Sequence, residues 1–393
     1  MSKTRPIYLD YHATTPTDPR VVDAMLPWFT ERFGNPHSAD HAYGWEADDA
    51  VSEAREQIAA LVGGRAKDVV FTSGATESNN IAVKGAARKR KETEGRTGVV
   101  TVVTEHKCVL ESARRLEKEG FDVTFLPVDS DGLVDLDDLG KAVSDNTALV
   151  SVMIANNEIG TLQKIQDIAG IAHDAGAWLH TDAAQALGKI DLNVKATGID
   201  LMSLSGHKVY GPKGVGALYL NSRKVSVEPL FDGGGQEKGI RPGTVPPALC
   251  VGFGKACELA AREMSSEAER LSGLRERLLD HIRSAAPDIA VNGDGAPRLP
   301  GNLSVTFPGI DTEELIAALP GLSVSAGSAC SSGSKAASHV LQAIGHDPAA
   351  REATLRFGLG RFTTEEEIDA AGDQLAKALT DRTSDARKTA ERR

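Results

Sequence analysis

Between about Val69 and Leu220, short β-branched apolar runs alternate with longer stretches whose apolar residues recur every three to four positions. The runs are Val69-Val-Phe, Gly98-Val-Val-Thr-Val-Val, Val123-Thr-Phe-Leu, Ala148-Leu-Val-Ser-Val-Met-Ile, Trp178-Leu-His, Leu201-Met-Ser-Leu and Gly214-Val-Gly-Ala-Leu-Tyr-Leu. Apolar runs without polar alternation fit strands buried on both faces, and the helical periods between them, as over 165–175, would cover those faces. The pattern therefore predicts an α/β fold with a mostly parallel sheet. The connection from Leu204 to the run after Gly214 is too short for a helical crossover, so that strand is expected to run antiparallel. Residues 256–285 read as one long amphipathic helix bridging into a second, smaller domain. Beyond it, Asn302–Phe307 and Leu322–Ser325 look like strands and 365–378 like a terminal helix, and the charged tail from Thr380 is expected to fray.

Composition narrows the function classes. The 393 residues suffice for a large domain and a smaller one. An apolar share of 41% with 25% charged residues is ordinary for a globular chain, while 39 glycines suggest many tight turns and close approaches of backbone to ligand. A formal net charge of -11 argues against a nucleic-acid binder, and the run Arg88-Lys-Arg-Lys reads as a solvated helix end. No stretch reaches the roughly 20 apolar residues of a membrane span, and the first residues lack the apolar core of a secretory signal. Cys108, Cys250, Cys257 and Cys330 form neither a disulfide framework nor a zinc-like spacing, so a reducing cytoplasm is expected, where one reactive thiol could survive.

Several residues carry chemistry. In Ser203-Leu-Ser-Gly-His-Lys208-Val-Tyr-Gly-Pro-Lys-Gly, a lysine follows a buried run directly, flanked by Ser205, Gly206 and His207. It reads either as a surface lysine in a turn or as an amine that bonds an aldehyde while a neighbouring hydroxyl and imidazole hold a phosphate. In His180-Thr-Asp182-Ala-Ala-Gln185, Asp182 could pair with a pyridinium nitrogen or cap a helix, and Gln185 could donate to a phenolate oxygen. Phe71-Thr-Ser-Gly74-Ala75-Thr76-Glu-Ser-Asn-Asn reads as strand, small-residue turn and helix, whose free amides suit a phosphate, although Ser73 and Glu77 could be a plain capping pair. His106 and Asn157 also follow apolar runs. His106, Asn157, Asp182 and Lys208 all fall just past the ends of expected strands, the edge at which open α/β sheets bind ligands. Finally, Cys330 lies in Ser325-Ala-Gly-Ser-Ala-Cys330-Ser-Ser-Gly-Ser, among small polar residues unlike the surroundings of a packed cysteine. Cys108, beside Val109 and Leu110, reads as packing, as do Cys250 and Cys257.

With these residues in place, the chain resembles the cysteine desulfurases of the class V aminotransferase group, which are pyridoxal-phosphate (PLP) enzymes of fold type I. The matching stretches are Tyr8-Leu-Asp-Tyr-His-Ala-Thr-Thr-Pro16, Phe33-Gly-Asn-Pro36, 71–80, Thr104-Glu-His-Lys107, Asn156-Asn-Glu-Ile-Gly160, 182–185, 203–216, Gly233-Gly-Gly-Gln-Glu237, Arg241-Pro-Gly-Thr244, Gly327-Ser-Ala-Cys330 and Arg356-Phe-Gly-Leu-Gly-Arg361, in family order. The resemblance implies a large domain over 16–260 with a seven-stranded sheet. It also implies a small α+β domain from 1–15 and 261–393 that carries the catalytic cysteine loop at about 322–338.

It further implies that Lys208 binds PLP covalently and that His106 stacks on the ring and assists proton transfer. Asp182 and Gln185 would tune the ring. Ala75, Thr76, Ser205, Gly206 and His207 would hold the phosphate end, and Thr244 would reach the phosphate of a second protomer in a homodimer. Asn157 and Arg356 would orient the carboxylate of L-cysteine, and the Cys330 thiolate would attack the substrate sulfur, leaving alanine to be released and a persulfide on the enzyme. The serine-rich stretch around Cys330 is similar to the long-loop, iron–sulfur-cluster type. A scaffold or other sulfur-acceptor protein is then the implied partner, with Cys330 a candidate transient cluster ligand. His12 falls at a position that varies within the family, and the C-terminal end is shorter and more basic than in housekeeping bacterial members. Selenocysteine lyase, another class V aminotransferase and a catalytically silent sulfur-trafficking scaffold are the competing readings.

Overall fold

A computed structural model describes residues 5–326 and 338–390, with side chains described to Thr380 except at 351–352. Its strands are β1 (Ile7–Tyr8), β2 (Val69–Thr72), β3 (Gly98–Val102), β4 (Asp122–Leu126), β5 (Thr147–Ser151), β6 (Trp178–Asp182), β7 (Leu201–Ser205), β8 (Gly216–Leu220), β9 (Ala290–Val291), β10 (Asn302–Thr306), β11 (Leu322–Ser323) and β12 (Thr354–Gly358). Seven of them form one sheet in the order β2-β8-β7-β6-β5-β3-β4. Every neighbouring pair is parallel except those involving β8, which runs antiparallel to both β7 and β2, as its short connection predicts.

Alternation along the strands supplies both faces of this sheet. Val100, Val102 and Val150 point into a core shared with helices Ala42–Leu61 and Ile165–Asp174. Val99 and Leu149 point the other way, beneath the helical run 75–94 and helix Lys107–Lys118. A second core gathers Leu303 and Val305 of β10, Leu355 and Phe357 of β12, and Ile368 and Leu375 of the last helix.

Helix Pro247–Ala285 serves both cores. Phe253, Ala256 and Ala260 pack on the large sheet, and Leu271, Leu274, Leu278 and Ile282 pack on the small one. It begins nine residues before the periodicity suggests, because Gly252 and Gly254 interrupt the apolar pattern. Those glycines mark close packing instead: a Cβ at Gly254 would lie 2.6 Å from Ala54 Cα on helix Ala42–Leu61. Two further expectations are corrected. The run from Leu322 forms a strand only over β11, with Ser325 adding an isolated bridge to Arg356, and the tail expected to fray continues as helix Glu365–Ala390.

The topology decides where chemistry can sit. Strands β3, β5, β6 and β7 share one direction, as does β2 across its two antiparallel steps. The segments after them, carrying Gly74, His106, Asn157, Asp182 and Lys208, therefore collect at one edge of the sheet. Among the described residues, no helix is long and apolar enough to cross a membrane.

Candidate active site

At that edge lies a cavity of about 500 Å³. Ala75, Thr76, His106, Asn157, Asp182, Gln185, Ser205, His207, Lys208 and Arg356 all line it. Gly206 is buried just behind the wall, where its N–H bonds Val215 O at 3.0 Å. Thr244 is exposed and outside the cavity of its own chain. Cys330 lies outside the described residues.

Asp182 ends β6 and is held on both oxygens: Ala184 N–H donates to Oδ1 at 2.9 Å and Asn79 Nδ2 to Oδ2 at 2.6 Å. Two amide donors hold that buried side chain in one orientation on the cavity wall. Glu105 lies just past β3, and burial first, with the charge of Asp182 second, pushes its carboxyl well above the usual 4.5.

Lys208 closes a single turn, Gly206–Lys208, between β7 and β8. Its amine donates to His12 O and to Ala13 O, the latter at 2.8 Å, so the turn that follows β1 holds it in the cavity. Tyr210, two residues on, takes a left-handed φ of 63°. Packing over-determines that strained backbone: the Tyr210 ring lies 4.2 Å from the Arg361 guanidinium and 5.8 Å edge-on from Phe362, and its hydroxyl accepts Arg361 N–H.

The phosphate end is legible at Ser73–Thr76. Gly74 adopts φ 150°, and the helix from Ala75 has no side-chain cap on its amides. Glu77 does not cap it; its carboxylate instead accepts Ser73 N–H at 2.5 Å and Arg241 Nε at 3.0 Å. Ser205 and His207 face the same region. Burial, then the Lys208 charge, lowers His207 to about 4, which leaves a neutral ring whose Nδ1 pairs with Thr14 Oγ1 at 3.0 Å.

Across the cavity, Arg356 of β12 is 1% exposed. Its Nη1 donates to Asn157 O at 2.8 Å and its Nη2 to Asp10 Oδ1 at 2.7 Å, while Nε has no partner among the described residues. A buried guanidinium with an unused donor beside a cavity is suited to a small carboxylate. The backbone of Arg356 also pairs in both directions with Ser325, at 2.7 and 3.2 Å, where the chain enters 327–337. Beyond that stretch, Ser338 donates to Glu158 Oε2 and His339 Nε2 meets Glu105 O at 2.9 Å.

His12 and Cys108 line the cavity and Lys189 lies behind it, and none of the three was given a role in the site from the sequence. His12 is buried, with Nδ1 3.2 Å from Gln185 Oε1, and Gln185 Nε2 donates back to His12 O. Lys189 Nζ donates to the same Gln185 oxygen, and burial lowers that lysine to about 7. Cys108 is half-buried: it packs against the apolar cluster around Val109, as read from the sequence, and also lines the cavity, with Sγ 2.9 Å from His106 Nδ1. Its place two residues after His106, at a helix start, was the available signal. Cys250 and Cys257 are fully buried, and burial raises both thiols far above their usual range.

A family model described as aminotransferase class-V matches residues 7–371. The human protein named cysteine desulfurase is 52% identical over 366 residues, covering 93% of this chain and 80% of its own. The cysteine desulfurase IscS of Rickettsia rickettsii (strain Iowa) is 49% identical over 377 residues, covering 96% and 92%. Among solved structures, a NifS-like protein superposes with a TM-score of 0.87 at 36% identity, over 95% of this chain and 99% of that one. A structure described as SspA in complex with cysteine gives a TM-score of 0.80 at 40% identity, over 91% and 99%.

Proposed function

This chain belongs to the aminotransferase class-V family and is a pyridoxal-phosphate-dependent cysteine desulfurase, and from that premise we propose which residues carry each task. The observation that supports the assignment is the convergence of an amine, a doubly hydrogen-bonded carboxylate, an imidazole and an underused guanidinium on one cavity.

The donor set fits PLP. Lys208 would bind its aldehyde carbon, Asp182 its ring nitrogen and Gln185 its phenolate oxygen, with His106 against the ring. The amides at Ala75 and Thr76, with Ser205, Gly206 and His207, would hold the phosphate. Bound PLP supplies an electron sink that weakens bonds around the substrate's α-carbon. The protein residues do the rest. Arg356, braced by Asn157 O, receives the cysteine carboxylate and orients the substrate. Lys208 Nζ and His106 take and return the protons at Cα and beyond. Cys330 Sγ, as thiolate, bonds the substrate sulfur while the bond from that sulfur to Cβ breaks. The electron pair stays with carbon, which gains a proton, so cysteine becomes alanine and the enzyme keeps a persulfide.

Mass spectrometry after adding L-cysteine tests this reading. An added sulfur on the Cys330 peptide, and alanine release lost in Cys330→Ala while cofactor absorbance persists, are the expected results. Full alanine turnover by that variant would remove Cys330 from the mechanism, and unchanged cofactor retention in Lys208→Ala would remove Lys208.

We extend the proposal to the assembly. The domain division at 1–15 and 261–393 against 16–260 agrees with the two apolar cores. A homodimer is supported by Leu26, Phe29, Phe33, Tyr43 and Trp45, each more than half exposed within one short region, and by Thr244 standing outside its own cavity. The sulfur acceptor is taken to be a scaffold for iron–sulfur assembly, on the resemblance of the serine-rich stretch around Cys330 to the long-loop type. The cytoplasm is the proposed compartment, although a relative from Drosophila melanogaster is named as mitochondrial.

A further inference from the structure

We infer that Cys108 and Asn79 are positioning residues, forming a directed run of hydrogen bonds that sets the proton position on His106 and ties it to Asp182. The inference rests on the role given to His106 above.

Asn79 is fully buried, on the helical run that starts at the phosphate end. Only its amide nitrogen can donate to a carboxylate, so the contact at 2.6 Å with Asp182 Oδ2 fixes which way the amide faces. The same nitrogen reaches Cys108 Sγ at 3.1 Å, which uses its second hydrogen. With the sulfur accepting from Asn79, the thiol hydrogen is available to His106 Nδ1, 2.9 Å away. The backbone N–H of Cys108 donates to that same nitrogen at 3.3 Å. Both donors require Nδ1 to be the lone-pair nitrogen, so in the neutral ring the proton sits on Nε2.

The direction is consistent from end to end: amide to thiol, thiol to imidazole. One asparagine thereby governs the carboxylate beneath the ring and, through sulfur, the imidazole on the wall. Val109 and Leu110, the next residues, are buried, whereas Cys108 is half-buried, packed against the same apolar cluster as Val109 on one side and lining the cavity on the other. Interactions of this kind, one step behind a reacting group, set its tautomer and orientation.

The experiment is ¹⁵N NMR of histidine-labelled protein, with His106 assigned by loss of its signals in His106→Asn. In the parent protein, His106 should show Nδ1 as an unprotonated, hydrogen-bonded nitrogen. Cys108→Ala should move that resonance downfield, toward a free acceptor, and Cys108→Ser should restore it. In alanine-release assays Cys108→Ala should lower kcat about tenfold with KM nearly unchanged, and Cys108→Ser should recover most of the loss. The same Nδ1 resonance in the parent and in Cys108→Ala would overturn the inference, as would a shift that serine fails to reverse. A parent protein that releases no alanine from cysteine would instead defeat the functional reading, and the NMR comparison would still decide this one.

Discussion

Glu105 shows how single residues here are set by burial rather than by type. Its Oε1 accepts Met153 N–H, its other oxygen has no partner among the described residues, and Asp182 contributes a nearby negative charge. A carboxyl whose folded pKa is raised contributes its stability below the ordinary value of 4.5 and loses it as pH rises toward the folded value. Replacing it with glutamine removes the titration but keeps the shape. The thermal midpoint of Glu105→Gln should gain on that of the parent as pH rises from about 5 to about 8. A constant gap would show that Glu105 is charged in the fold. Reading at this scale was uneven. Lys208, Asp182, His106 and Arg356 sit in recognisable motifs and reach the cavity. Cys108 did not stand out, because a helical context gives no hint of which face meets a ligand. Asn79 was hidden because its partners lie far along the chain or across a turn.

The elements were more legible. All seven large-sheet strands follow from apolar runs, and the reversal of β8 follows from chain length alone, since the ten residues 206–215 cannot hold a crossover helix. The front of helix Pro247–Ala285 was not legible, because glycine weakens the helical signal in sequence while close packing makes it necessary in space. Gly254 tests this account. Its Cβ would press on Ala54 Cα at 2.6 Å, and backbone there has nowhere to go. Gly254→Ala should destabilise the protein by about 1–3 kcal/mol, seen as a lowered unfolding midpoint in denaturant, despite alanine's better helix propensity. A stabilised variant would mean that the two helices separate freely.

At the scale of the molecule, the open question is what covers the exposed aromatic region near residues 26–45. Phe33 and Tyr43 rings lie 5.4 Å apart there, and a patch of that kind on a folded chain marks an interface. On the homodimer proposal, Phe29→Glu with Phe33→Glu should give a monomer in sedimentation and weaken cofactor retention, because Thr244 would lose its neighbour's site. A double variant that remains dimeric would place the interface elsewhere, and a monomeric parent would end the homodimer proposal. None of this was visible in one chain's periodicity, since a residue serving another copy looks merely exposed in its own.

The pairing of Ser325 with Arg356, and of Ser338 and His339 with Glu158 and Glu105, has an evolutionary consequence. Both flanks of the thiol-bearing stretch are hydrogen-bonded to residues at the cavity rim, so its length and sequence can change between two fixed points. Lineages could lengthen, trim or rewrite that insert to suit a new recipient of sulfur without disturbing the machinery underneath.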